Sequence, residues 1–219
     1  MKDEIKEPFS QIDLSWCPPQ IGNFVFKEDK KDDGDNYLLF HYTNDKGWRW
    51  QAFYDAEVED YTVHIYMPLF SFADISFVNE NLADYEAGLR ARLEMQIQKV
   101  LVNPADNFTY PYKVKGLPEW DYQESLPEQI GGYTRDIAPD KAIRMINGSY
   151  IIAEYVKDDD DKSGLLLFYN VLRDEFFAEL RAHNYPEINH EVDAKSLTAF
   201  EKVLKEKLPL ILDELTKRL

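Results

Sequence analysis

The sequence predicts an α+β fold made of two similar halves, and three observations lead to that prediction. Residues 53–93 align with residues 168–208 at a constant offset of 115 without a gap. Only 6 of these 41 positions are identical, but apolar positions meet apolar positions along the whole block. In both blocks, strand-like alternation is followed by the three- and four-residue spacing of an amphipathic helix. A repeat of this length indicates two small domains, because solenoid units are typically about 20–50 residues long.

The repeat also fixes the predicted domain boundaries. Residues between the two halves contain four of the chain's prolines, which is typical of a connector rather than of a sheet or a helix. Within it, the alternation around Phe108 and Val114 predicts a short extended piece. The predicted segments are repeat 1 at 1–102, the connector at 103–128 and repeat 2 at 129–219.

Each repeat is predicted to end in a helix, at 82–101 in repeat 1 and at 196–216 in repeat 2. Asn81 and Ser196 occupy equivalent positions and are good N-caps, because their side chains can accept the first free backbone N–H groups. Repeat 2 differs at Pro209, which falls inside its helix. An internal proline costs roughly 3 kcal/mol, so we expect this helix to be kinked or broken near that residue.

Four antiparallel strands precede each helix in the prediction. Asp33-Gly34 and Asn147-Gly148 are dipeptides that readily form tight hairpin turns. Alternation places an apolar face of each sheet against the helix and leaves a second, mixed face. The mixed face of repeat 1 is predicted to carry Tyr37, Leu39, His41, Thr62, His64 and Tyr66.

Composition restricts the function classes. The net charge is −16, with 41 acidic and 25 basic residues. This acidity argues against binding to nucleic acid, where clustered Lys and Arg neutralise phosphates, and against an anionic membrane surface. It permits a basic protein partner, and it also helps to keep a protein in solution.

The cellular compartment is predicted from cysteine use and from the lack of apolar segments. Cys17 is the single cysteine, so no disulfide can form within the chain and a reducing compartment is the simpler interpretation. Residues 1–7 lack the apolar core of a signal peptide. No apolar run approaches the roughly 20 residues of a membrane helix. We therefore expect a cytoplasmic protein.

Two motifs suggest metal sites and fail on inspection. Residues 190–194 begin like a zinc protease motif, but Ala194 stands where the second histidine is needed. A calcium loop beginning at Asp159 would use Asp161 and Ser163, but its twelfth position is Asn170 instead of the required Glu. No phosphate-binding loop, nucleotide-binding glycine motif or nucleophile elbow is present. The sequence thus predicts no metal, no cofactor and no catalytic residue.

The mixed face of repeat 1 is the strongest candidate for a binding surface. We predict binding residues at Tyr37, His41, His64 and Tyr66, since aromatic groups clustered on one sheet face indicate an interface. The alternative is that the two repeats use these faces against each other.

These observations favour a non-enzymatic, cytoplasmic binding or protein-interaction module of unknown partner. An acidic inhibitor or immunity-type protein that neutralises a basic partner is one concrete form of this function. The alternative is an enzyme or small-molecule binder with a site in the cleft between the repeats. Histidines in repeat 1 stand opposite glutamates in repeat 2, and this asymmetry keeps the alternative open.

Overall fold

The computed structural model describes residues 3–219, apart from the side chains of Asp3 and Asp161. The chain divides between Gln98 and Lys99 into two compact units, unit 1 and unit 2. It has an α+β fold with one antiparallel sheet of six strands, one of seven strands and a C-terminal helix. The α+β prediction is therefore confirmed. The sheets are larger than the four strands predicted for each half.

Unit 1 is one antiparallel sheet whose strands follow chain order, with a helix before it and a helix after it. Its elements are α1 (Asp3–Ser10), β1 (Gln20–Ile21), β2 (Phe24–Asp33), β3 (Asn36–Thr43), β4 (Arg49–Asp55), β5 (Asp60–Tyr66), β6 (Ser71–Ala73), a 3₁₀ turn (Ile75–Phe77) and α2 (Leu82–Ile97). A π-helical turn at Gln98–Val102 follows α2 and continues into unit 2.

Helix α2 covers one face of the unit 1 sheet. Asn81 caps it by accepting hydrogen bonds from the N–H groups of Ala83 and Asp84, as predicted. Leu89 and Leu93 are buried along one side of the helix, where the apolar stripe predicts them. The Tyr85 hydroxyl donates to the carbonyl of Thr62 at 2.7 Å, which satisfies a buried polar group and joins α2 to β5.

Unit 2 is built on the seven-stranded antiparallel sheet, in which β9 pairs with β10 beside the main path β13-β12-β11-β10-β8-β7. Its elements are a 3₁₀ turn (Pro104–Asn107), α3 (Tyr110–Val114), β7 (Gln129–Ile130), β8 (Tyr133–Ile137), a 3₁₀ turn (Pro139–Lys141), β9 (Ile143–Arg144), β10 (Ser149–Lys157), β11 (Asp160–Asn170), β12 (Glu175–Ala182), β13 (Tyr185–Ala194) and α4 (Leu197–Arg218).

The segment predicted as a connector, 103–128, lies in unit 2 and contributes to its core. Phe108, Tyr112 and Leu126 are buried among the sheet residues. The prediction of an extended piece around residues 108–114 was wrong, because α3 (Tyr110–Val114) forms there instead. The physical reason is Pro111 in the first turn of α3, where its fixed φ suits a helix and its missing N–H costs nothing.

Helix α4 is continuous through Pro209, so of the predicted kink or break the break does not occur. Ser196 caps its N-terminus by accepting from the N–H of Ala199. Leu204 and Leu208 are buried on the side that faces the sheet, while Pro209 lies on the exposed side. Packing of the apolar side holds the helix together despite the lost hydrogen bond. None of the helices in the described part of the chain combines the length and apolar character needed to cross a bilayer.

Candidate functional site

Three of the four predicted binding residues share the mixed face of the unit 1 sheet. His41 on β3 is paired with Gln51 on β4, and Gln51 is paired with His64 on β5. The three side chains therefore form a row across the sheet. Tyr66 lies two residues beyond His64 on the same face.

Tyr37 lies on the opposite face, and a β-bulge is the reason. Pairing between β3 and β4 shifts register between Leu38 and Phe40, so that Leu39 is an extra residue. The shift reverses the alternation between Tyr37 and His41. Tyr37 points toward the helix side of the sheet, where its ring lies 5.9 Å from that of Phe9 in α1. The prediction that these two residues share a face was wrong.

Asp29 organises the polar part of the row. Its Oδ2 lies 2.7 Å from His41 Nδ1 and accepts a hydrogen bond from Gln51 Nε2 at 3.1 Å. The Asp29 side chain is only 6% exposed. Burial alone would raise the pKa of this carboxyl, but the hydrogen bonds from His41 and Gln51 hold its pKa below the usual value. Gln51 also donates to the carbonyl of Phe40 at 2.8 Å, which fixes the orientation of its amide.

The other end of the row is aromatic. The ring of His64 meets Phe53 edge-on at 5.1 Å and lies 6.0 Å from the ring of Tyr66. Burial lowers the pKa of His64, with the Asp55 carboxylate acting weakly in the opposite sense. Burial raises the pKa of Tyr66, while the Arg49 guanidinium, 4.7 Å above its ring, opposes that shift. His64 is therefore held mainly as a neutral imidazole in an aromatic setting.

A second feature of unit 1, which the sequence did not point to, is an open depression of about 690 Å³. Tyr54, Ile5 and Ala56 contribute to its lining. Asn36 fixes one wall, because its Oδ1 accepts from the N–H of Ala56 at 2.9 Å. We call this feature the acidic depression, since its lining includes four carboxylates, those of Asp35, Asp55, Glu57 and Glu59.

Electrostatics in the acidic depression favour a cation. The pKa of Tyr54 is raised, first by burial and then by the carboxylates of Glu59, Asp60 and Asp55. Several carboxylates in one depression can hold an ammonium or guanidinium group by charge pairing and by charge-assisted hydrogen bonds.

A signal for this depression was present in the sequence. Its acidic residues come from the turn between β2 and β3 and from the turn between β4 and β5. In an antiparallel sheet with strands in chain order, alternate turns meet at the same end. Acidic residues in both turns therefore converge once the strand order of the sheet is known.

The motifs set aside at the sequence level have structural roles in unit 2. Ser163 Oγ donates to Asp160 Oδ2 at 2.6 Å, and His183 Nδ1 lies 3.2 Å from the same oxygen. These contacts order the β10–β11 hairpin loop. The side chain of Asp161, a ligand in the rejected calcium loop, lies outside the described residues. Among the described residues, no group of three or more His, Cys, Asp or Glu side chains is arranged to hold a metal.

Cys17 is half-buried in unit 1. Burial raises the pKa of its thiol to about 12, against a weaker opposing effect of a hydrogen bond with Tyr42. The thiolate is the nucleophilic form of cysteine, so this thiol is a poor nucleophile near neutral pH.

Comparison with known protein families, curated proteins and solved structures finds no match to this chain.

Proposed function

We propose that this protein is a non-enzymatic protein-interaction module whose acidic depression receives a basic segment of a partner. The observation that carries the proposal is the lining of the depression, which among the described residues includes four carboxylates and the apolar side chains of Ile5 and Ala56, and no lysine or arginine. A lysine or arginine side chain can place its charge among the carboxylates and its aliphatic stem against Ile5 and Ala56. An inhibitor that neutralises a basic partner is one form of this function.

The charge of the whole unit supports the same proposal. Residues 1–98 contain 19 acidic and 9 basic residues. A negative potential of this kind raises the encounter rate with a basic partner, and complementary charges then fix the orientation of the complex.

We also infer that the two units are one fold unit used twice. Adding 115 to the β4–β5 pair Phe53 and Thr62 gives the β11–β12 pair Phe168 and Phe177. A bulge occurs at the matching place in the preceding strand of each unit, beside Leu39 in β3 and beside Ile152 in β10.

A matched pair of long-range hydrogen bonds supports the same inference. Tyr42 donates to the carbonyl of Pro18 in unit 1, and Tyr155 donates to the carbonyl of Pro127 in unit 2. Both bonds tie a tyrosine of the second long strand to the segment that precedes the first strand.

The binding proposal is tested with a tetralysine peptide as the probe and a tetraglutamate peptide as its control. Titration calorimetry of the full chain should detect tetralysine and not tetraglutamate. The double variant Asp35→Asn/Glu57→Gln should bind tetralysine about tenfold more weakly, because two carboxylates lose their charge.

The matched control is Asp45→Asn/Glu80→Gln, which removes two exposed charges of unit 1 outside the lining of the depression. This control should bind like the unaltered protein. Equal loss of affinity in both double variants would mean that the peptide responds to total charge, and the depression would then not be the site.

The His41–Asp29 pair favours a second candidate, an enzyme or small-molecule binder. Its 2.7 Å contact uses His41 Nδ1 and leaves Nε2 to act as a base or as a hydrogen-bond acceptor for a ligand. Screening a small-metabolite set by thermal shift, with His41→Gln as the comparison, tests it. A ligand that stabilises the unaltered protein but not this variant would support the candidate.

A further inference from the structure

Unit 2 carries a group of strongly exposed apolar side chains at one end of its sheet. The group consists of Tyr110, Val114, Ile146 and Leu172, which are 79%, 66%, 68% and 80% exposed. We call it the apolar end of unit 2. Exposed apolar residues that cluster in this way mark interaction sites more often than those that occur singly.

Contacts within unit 2 bring these residues to the same end. The N–H of Val171 donates to the carbonyl of Gly148 at 2.9 Å, which joins the turn that contains Leu172 to the turn next to Ile146. The two exposed residues of α3 lie one helical turn apart, and α3 is anchored at the same place. Its N-cap, Thr109, donates its N–H to the Tyr150 hydroxyl at 2.9 Å. Lys115, just after the helix, forms an ion pair with Asp174 in the Leu172 turn.

The surroundings of the apolar end are rich in cations. Lys113 on α3 and Arg144 on β9 are exposed. Arg173 and Lys195 both pair with the single carboxylate of Glu175, at 2.8 and 2.7 Å, so that one positive charge of this trio stays uncompensated. An apolar centre with a cationic border fits a counter-surface that is apolar in its middle and anionic at its rim.

We propose that the apolar end of unit 2 docks into the acidic depression on a second copy of this chain. The depression has that complementary chemistry, since its lining combines the apolar side chains of Ile5 and Ala56 with four carboxylates. Its volume of about 690 Å³ is sufficient for several side chains such as Leu172 and Ile146. The inference rests on the proposed function, because it takes a second copy of this chain as one of the partners whose basic segment binds in the depression.

The strength and form of the association follow from size and symmetry. With four apolar side chains at its centre, we expect the contact to bury less than the roughly 800 Å² a side of a stable interface and to have a dissociation constant on the order of 0.1–1 mM. The net charge of −16 opposes association at low salt. At about 0.15 M salt, charges more than about 8 Å apart are largely screened, and the local complementarity dominates. Because two different surfaces meet, the contact is heterologous and extends beyond dimers unless a ring closes.

Charge reversal on each surface provides the test. Asp35→Lys/Glu57→Lys makes the depression cationic, and Lys113→Glu/Arg144→Glu makes the border of the apolar end anionic. In sedimentation velocity of the full chain at about 0.15 M salt, each double variant should stay monomeric, because its two surfaces now repel. A mixture of the two variants should associate again, since each finds its complement in the other.

Two further variants distinguish this contact from an effect of the net charge of the chain. Leu172→Ser should weaken association of the otherwise unaltered chain about tenfold, because it removes the most exposed apolar group of the contact. Asp45→Lys/Glu80→Lys changes the net charge by as much as the depression variant does, and it should still associate.

Each remaining outcome overturns the inference. If the unaltered chain stays monomeric up to about 1 mM but binds tetralysine in the depression, the self-association proposal is wrong and the proposed function stands. If tetralysine also fails to bind, both proposals are wrong. If the chain associates but the reversed variants do not rescue each other, a different surface is responsible.

Discussion

His41 and His64 lie in one row of the unit 1 sheet but differ in their surroundings. His41 contacts a buried carboxylate, whereas His64 lies against aromatic rings and has its pKa lowered by burial. The local environment of His64 thus favours its neutral form. The difference leads to a prediction about pH.

We expect His64 to make stability depend on pH just below neutrality. Its folded pKa lies below the ordinary unfolded value of about 6.5, so the unfolded chain takes up a proton first as the pH falls. The stabilising contribution is complete above about pH 6.5 and is lost as the pH falls toward the folded pKa. Urea melts of the unaltered protein and of His64→Gln should therefore give free energies of unfolding that converge between about pH 7.5 and 5.5.

His190→Gln is the control for this prediction, because the His190 side chain is 76% exposed. It shows what removal of an exposed histidine does to the melts. Parallel curves for the unaltered protein and His64→Gln would show that burial of His64 does not control its ionisation.

Among the structural elements, α2 and α4 show how well the apolar pattern of a helix predicts which of its side chains are buried. Leu89 in α2 and Leu204 in α4 are both 0% exposed, as their equivalent places in the aligned stripes predict. Met95 and Leu210 in the same helices fall outside the buried stripe and are 57% and 56% exposed. The position of a residue around the helix therefore decides how much the free energy of unfolding falls when its side chain is truncated to Ala.

Leu89→Ala and Leu204→Ala should each lower the free energy of unfolding by about 2–5 kcal/mol, since each leaves a cavity in a packed core. Met95→Ala and Leu210→Ala should change it by under about 0.5 kcal/mol. Denaturant melts of the four single variants give the comparison. Similar losses in all four would contradict the assignment of a buried side to either helix.

Pro209 is an exception to the rule that proline is excluded from the interior of a helix. It lies inside α4, on the exposed side, and lacks the N–H that would bond to the preceding turn. Pro209→Ala should raise the free energy of unfolding by about 1–3 kcal/mol, because it restores a helical hydrogen bond and removes a clash. A urea melt that shows lower stability instead would mean that the core packing of α4 depends on a bend at the proline.

At the scale of the whole molecule, acidity is the dominant property. With 41 acidic and 25 basic residues, like charges repel in the compact state more than in the extended one. Salt should therefore stabilise the fold by screening that repulsion. We expect Tm to rise by a few degrees, about 2–5 °C, between about 0.02 and 0.2 M NaCl.

The same experiment with KCl distinguishes screening from specific ion binding, since screening depends on ionic strength alone. Equal shifts in both salts agree with screening. A fall in Tm as salt is added would show that favourable ion pairs outweigh the net repulsion.

The sequence by itself determined the α+β class, the strands at the centre of each sheet, the N-caps Asn81 and Ser196 and the buried sides of the helices. These features follow from local periodicity and from capping chemistry, which depend on residues a few positions apart. The hairpin at Asn147-Gly148 belongs to the same group, because β9 pairs with β10 across it.

Only the tertiary structure decided the face on which Tyr37 lies, the form of residues 108–114 and the presence of the acidic depression. A single extra residue at Leu39 reverses the alternation, and it is visible only in the pairing of β3 with β4. Tyr112 draws α3 onto the sheet through the rings of Tyr150 and Tyr169, contacts between residues far apart in the chain. The depression exists because two turns distant in sequence meet at one end of a sheet. Local patterns fix each strand and helix, but packing between distant residues fixes which side chains come together.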